Sequence, residues 1–187
     1  RRKVQAEDAL LFTMDEPQGF IGSQARYNFK LIGKKETYLV ANAQQFTDYK
    51  ACSEEKLLTP HFPNPDCMRF ELHRTWVVEG TLKSGYRHII PRRVLYMDED
   101  HLQATWGDMY DAAGKLFRVD FSPSMIHWNP DGWHWLNAND ETCLNLLTGG
   151  WAQSTVINAP GHGYIAQKKG EPDVFFSPEA LAGEGIR

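Results

Sequence analysis

Seven histidines are the natural first place to look for acid–base or metal chemistry, and they stand singly: His61, His73, His88, His101, His127, His134 and His162. None falls in a His-Glu-x-x-His or comparable spacing that would hold two imidazoles on one metal from a single element. His73 and His88 lie on segments that read as a strand pair, so they could face each other or a carboxylate such as Glu71. The plainer reading is two histidines on a polar strand face, hydrogen-bonded to neighbours. Nucleophile motifs are absent: there is no Gly-x-Ser-x-Gly, and Thr148-Gly149-Gly150 and Pro160-Gly161-His162-Gly163 lack the phosphate-loop pattern. Asp98, Glu99, Asp100, Asp108 and Asp111 gather at hairpin ends. Paired carboxylates can do acid–base work, but at turns they read as solvated turn formers. No residue is therefore assigned as catalytic, and neither an enzyme, a cofactor nor a metal is expected.

Cysteine supplies one more piece of chemistry. Cys52 and Cys67 bracket Ser-Glu-Glu-Lys-Leu-Leu-Thr-Pro-His-Phe-Pro-Asn-Pro-Asp, whose three prolines fold its ends together. A disulfide closing about 15 residues contributes up to about 3 kcal/mol in the chain-entropy model, and it would place the chain in an oxidising compartment. The alternative is two unpaired thiols. Cys143, in Glu-Thr-Cys-Leu-Asn-Leu-Leu, reads as a small buried apolar residue. Spacing of the Cys-x-x-Cys type that would hold zinc is missing.

Arginine and tryptophan are more informative. Arg74-Thr75-Trp76 is followed by Tyr86-Arg87-His88 and Arg92-Arg93. Arg74 and Arg92 fall in phase with the apolar positions of their strands, which is costly unless each is paired. They read either as partners in register-fixing ion pairs or as holders of an anionic headgroup at the mouth of an apolar cavity. Trp128, Trp133, Trp135 and Trp151, with Phe117, Phe121, Met125 and Ile126, can close a sheet, line a groove or form an interface.

The elements that must position these residues are strands. Met68, Phe70, Leu72, Arg74, Trp76, Val78 and Leu82 alternate with Arg69, Glu71, His73, Thr75, Glu79 and Thr81, Val77 being the exception, a period of two that no helix shares. Further strands are expected over 88–98, 101–110 and 115–128, joined by short turns into an antiparallel meander. Before them, 27–31 and 36–41 read as a hairpin turning at Gly33-Lys34. After Asn129-Pro130-Asp131-Gly132, 142–147 and 152–158 read as two shorter strands. The ranges divide as an extended arm (1–26), a β domain (27–158) and a tail (159–187) in which Ser177-Pro178 starts one helical turn.

The 187 residues suffice for a proper core. A net charge of −4 argues against nucleic-acid partners, and no apolar run is long enough to make a membrane-spanning helix. The aromatic share, 12% with 6 Trp, 7 Tyr and 10 Phe, is high and needs a use.

Several strings carry a resemblance in order along the chain. They are Tyr27-Asn28-Phe29-Lys30-Leu31-Ile32-Gly33-Lys34-Lys35-Glu36, Arg69-Phe70-Glu71-Leu72-His73-Arg74 with Trp76-Val77-Val78-Glu79, and Thr81-Leu82-Lys83 with Arg87-His88-Ile89. Tyr96 with Asp98-Glu99-Asp100, then Tyr110-Asp111 with Gly114-Lys115-Leu116-Phe117-Arg118, continues the run, and Phe176-Ser177-Pro178-Glu179-Ala180-Leu181 closes it. The chain thereby resembles a Gram-negative envelope family of unknown function that is similar to outer-membrane lipoprotein-sorting proteins. The resemblance implies a LolA/LolB-like fold, a curved antiparallel sheet or incomplete β-barrel with an apolar concave face. It also implies a periplasmic home after signal-peptide removal, and partnership with an outer-membrane β-barrel protein or a resistance-nodulation-division-type exporter. Members run to about twice this length, so the chain is expected to be the C-terminal part of such a protein, which accords with a start at Arg1. No catalytic residue comes with the family.

The reading that follows is a carrier for a lipid or other hydrophobic ligand. Phe70, Leu72, Trp76 and Trp106 would line the cavity, with Arg74 and Arg92 as headgroup partners. The alternatives are an interaction subunit whose apolar face is covered by protein, such as the N-terminal half or a transporter, and, last, an enzyme built on His73, His88 and a carboxylate.

Overall fold

The computed structural model describes residues 13, 15–128, 132, 134–137, 141–153 and 177–179. Its strands are β1 (Tyr27–Val40), β2 (Phe70–Leu82), β3 (Arg92–Asp98), β4 (Ala104–Tyr110), β5 (Leu116–Phe121), β6 (Met125–Trp128), β7 (His134–Asn137), β8 (Thr142–Asn145) and β9 (Gly150–Gln153). Seven form one sheet in the order β1-β2-β3-β4-β5-β8-β9, while β6 and β7 pair separately. All pairs are antiparallel. The large sheet is open, with β1 and β9 as edges, and does not close into a barrel.

The ladder fixes two faces. One row runs Leu31, Val78, Leu95, Gly107, Asp120, Cys143, Ala152 across all seven strands; the next row, on the opposite face, runs Lys30, Glu79, Val94, Asp108, Val119, Leu144, Trp151. Residues 15–26 pack against the first, here called the arm face. The segment between β1 and β2 packs against the second, the loop face. There Val40, Ala43, Phe46, Cys52, Leu57, Cys67, Met68 and Phe121 make a buried cluster, joined by Trp106 and Leu144. Covered from both sides, β3 and β5 are buried along most of their length.

The covering loop is built from local signals. Ser53 caps the helix Glu54–Leu57 by accepting from the Lys56 amide, and Asn64 caps the turn Pro65–Cys67 in the same way. Cys52 and Cys67 are disulfide-bonded, with Cα atoms 5.6 Å apart, so the two ends of the loop are stapled together, and both are buried in the cluster against the sheet. Trp151 reaches it from β9, its indole N–H donating to the Thr59 carbonyl at 2.8 Å.

Three strand expectations change. The hairpin expected at Gly33-Lys34 is one continuous strand: Leu31 pairs with Val78 and Gly33 with Val77, so Ile32 is the extra residue of a β-bulge. Glycine at φ +150° absorbs that irregularity instead of a turn. The segment 115–128 divides at Ser122-Pro123-Ser124, because Pro123 has no N–H for the ladder, and β6 leaves for its own hairpin. The third strand starts at Arg92 and not at His88, following Pro91. Residues 154–158, most of the tail and Trp133 lie outside the described residues; Pro178 and Glu179 are helical.

Candidate functional site

The arm is the element that makes a site. It crosses the sheet at Gly19, whose φ of +80° favours glycine and where a Cβ would stand 2.4 Å from the Ala104 Cβ. Just beyond that crossing, arm and sheet separate to leave an open cleft of about 690 Å³. Its apolar lining includes Phe20 from the arm and Phe29, Val78, Leu95, Met97 and Ala104 from β1 to β4; its polar lining is Gln18, Gln24 and Gln103. Among the described residues, no charged side chain lines it. Phe20, Tyr27 and Phe29 form a ring cluster, with centroids 5.4–5.9 Å apart, at one end. Phe29 lies over Gly80, where a Cβ would come within 2.8 Å of its ring.

A charged seam fastens the arm. Arg93, fully buried, donates through Nη2 to Asp15 at 3.0 Å and to the Tyr27 hydroxyl at 2.9 Å. Its guanidinium also lies 4.6 Å from the Phe20 ring centroid and 4.7 Å from that of Tyr27. Asp15 faces His88 as well, at 3.2 Å. Burial alone would raise the Asp15 pKa, but hydrogen bonds from His88 and Thr13 and the charge of Arg93 hold it below the usual carboxylate range. Two residues of β5 continue the seam: Arg118 donates to both Glu16 oxygens at 2.8 Å, and Asp120 lies beside Glu16 and Cys143. Burial, then the Glu16 charge, push Asp120 up. Glu141 accepts from the Gln18 and Gly19 amides; burial nevertheless raises it to about 7, with Glu16 adding to the shift.

The residues expected to line a cavity separate. Phe70, Leu72, Arg74 and Trp76 share the arm face of β2, beyond the cleft; Phe70 and Leu72 are about half exposed. Trp106 pairs with Tyr96 on the loop face, stacked on Phe121 at 5.3 Å and donating to Asp108. Arg92 also lies on the loop face. It donates to Glu79 at 2.8 Å and sits over the Tyr110 ring. Arg74 is paired with Glu99. Both arginines form ion pairs, but at the surface rather than inward as expected, and neither lines the cleft.

His73 and His88 do not meet: His88 faces the arm at Asp15, while His73 faces Asp98. Asp98, expected to be solvated, is buried. Cys143 is buried as expected, but in polar company: burial and its contact with Asp120 push its thiol pKa up. Asp15 and Glu16 of the arm meet the interior Arg93 and Arg118, a pairing that no local spacing in the sequence announces.

Comparison with known proteins adds kinship. An uncharacterised protein of Pseudomonas aeruginosa, PA3922, is 36% identical over 179 residues, which are 95% of this chain and 38% of that protein. Two crystal structures overlay loosely. One is a DUF1329 family protein from Desulfovibrio piger, with a TM-score of 0.43 and 15% identity over 87% of this chain and 50% of that one. The other, from Vibrio parahaemolyticus, is described as an outer membrane lipoprotein-sorting protein domain, with a TM-score of 0.40 and 12% identity over 89% and 57% of the two chains. The family described as protein of unknown function (DUF1329) matches residues 3–182, and the chain belongs to it.

Proposed function

We propose that this chain is the ligand-binding part of a periplasmic carrier for a lipid-like molecule in the Gram-negative envelope, acting without catalysis. The observation that carries the reading is the cleft of about 690 Å³ between arm and sheet, whose described lining joins apolar side chains to three glutamines and carries no charge. That volume falls in the usual range for small-molecule sites, and each methylene buried there contributes about 0.8 kcal/mol. The Cys52–Cys67 disulfide supports an oxidising compartment.

The test is mass spectrometry of lipid extracted from natively purified protein, followed by titration with a fluorescent fatty-acid probe. A co-purifying lipid is expected, together with probe binding that Val78→Glu abolishes while the far-UV spectrum stays unchanged. No lipid and no probe binding would overturn the reading. A second reading has protein on the arm face. It is favoured by Tyr38, Phe70 and Leu72, which lie outside the cleft and are each at least about half exposed. The covering partner would then be the remainder of a longer protein, an outer-membrane β-barrel protein or a resistance-nodulation-division-type exporter.

A further inference from the structure

We propose that His73, Asp98 and Asp100 form a binding site for a divalent transition-metal ion, at the opposite end of the sheet from the arm's charged seam. Thr75 and Asp98 are the last pair between β2 and β3. His73, two residues back along β2 and on the same face, therefore overhangs the turn that follows. That turn is tight: the Asp98 amide donates to the Gln103 carbonyl at 3.0 Å and the Leu102 amide to the Asp98 carbonyl at 2.9 Å, with Leu102 in the left-handed region at φ +58°.

The turn brings three donor atoms together. A nitrogen of His73 and one oxygen each of Asp98 and Asp100 lie within 4.8 Å of one another. Asp98 is 1% exposed. Its Oδ1 accepts from the Asp100 amide at 2.9 Å. Its Oδ2 takes part in no hydrogen bond of acceptable geometry, although His73 Nδ1 is 2.7 Å away. A buried carboxylate oxygen left without a directed donor costs free energy, and an ion ligated by both it and Nδ1, the two atoms parting to the spacing of metal ligands, would satisfy both.

The surroundings fit a ligating imidazole. His73 Nε2 faces Glu71 Oε2 at 3.3 Å, and Asn42 donates to that same Glu71 oxygen at 3.0 Å. A metal-bound histidine ordinarily gives its other N–H to a carboxylate in this way. His101 stays outside the ligand set. Its Nδ1 accepts from the Gln103 amide, and its Nε2, 3.4 Å from Asp98 Oδ2, makes no hydrogen bond there. An entry path exists, since His73 and Asp100 both line an open cleft of about 430 Å³. One nitrogen and two carboxylate donors suit Zn²⁺ or Mn²⁺, whereas Ca²⁺ takes oxygen ligands.

The competing occupant is a second proton on His73, making an imidazolium between Glu71 and Asp98. Calorimetric titration of chelator-treated protein with Zn²⁺ separates the two, with Co²⁺ as an absorbing substitute. One binding event is expected that His73→Gln and exposed Asp100→Asn each remove, that His61→Gln leaves intact, and that Glu71→Gln weakens roughly 10- to 100-fold. Visible absorption of bound Co²⁺ should vanish in the same two variants. Should His73→Gln fail to fold, Asp100→Asn decides alone. Absence of Zn²⁺ uptake, or uptake unchanged in Asp100→Asn, would overturn the site.

Discussion

Glu141 shows how one side chain couples the arm to pH. Folded, it holds the Gln18 and Gly19 amides, yet burial and the nearby Glu16 raise its pKa from 4.5 to about 7. Between those values the folded chain binds more protons than the unfolded one, so stability falls as pH rises from about 4.5 to about 7 and then levels off. Asp120, also raised, acts with the same sign. Asp15 acts oppositely: its lowered pKa gives stability present above about 3.8 and lost as pH falls through the lowered value. Thermal midpoints measured from pH 5 to 8 should therefore decline in the wild type. Glu141→Gln should shrink that decline by up to about 3 kcal/mol. An unchanged slope in the variant would mean that Glu141 does not carry this titration.

Among elements, the arm is the one whose attachment can be tested with a single carbon atom. Gly19→Ala would demand a left-handed alanine at φ +80° and a Cβ at 2.4 Å from Ala104. The expected cost is about 1–3 kcal/mol, with faster hydrogen exchange at the Ile21 amide, which donates to the Asp15 carbonyl. Exchange unchanged at Ile21 would mean that the arm is held elsewhere. The arm was the part least legible in the sequence. Pro17, Gly19 and Gly22 mark it as irregular, and nothing local records that Glu16 ends up fully buried against Arg118. The strand β2 was legible because one of its faces stays partly open and alternates. By contrast β3 is covered on both sides, so Val94 and Leu95 are both buried and period two fails as a guide. For that reason Arg92 was expected among the inward positions, although the interior residue is its neighbour Arg93. Long-range convergence, such as His73 onto Asp98, leaves no spacing signal at all.

At the scale of the whole molecule, the sheet is sandwiched between arm and stapled loop over β3 to β5, while no described residue covers the apolar side chains on one face of β1 and the far half of β2. The edge β1 carries Lys30, Lys34 and Lys35, charges that discourage further strand pairing. Phe29, Leu31, Tyr38, Phe70 and Leu72 remain exposed beside it. This asymmetry makes the ligand reading and the protein-covered reading separable by tryptophan. Trp76 pairs with Met97, a cleft residue, on the arm face, whereas Trp106 stacks on Phe121 on the loop face. A brominated fatty acid, which quenches indole fluorescence only at short range, should quench part of the emission. Trp76→Phe should remove that part, and Trp106→Phe should retain it. Quenching lost in Trp106→Phe would put the ligand on the loop face. If neither tryptophan is quenched while the Tyr38, Phe70 and Leu72 side chains are protected from labelling in a full-length family member, the arm face belongs to protein.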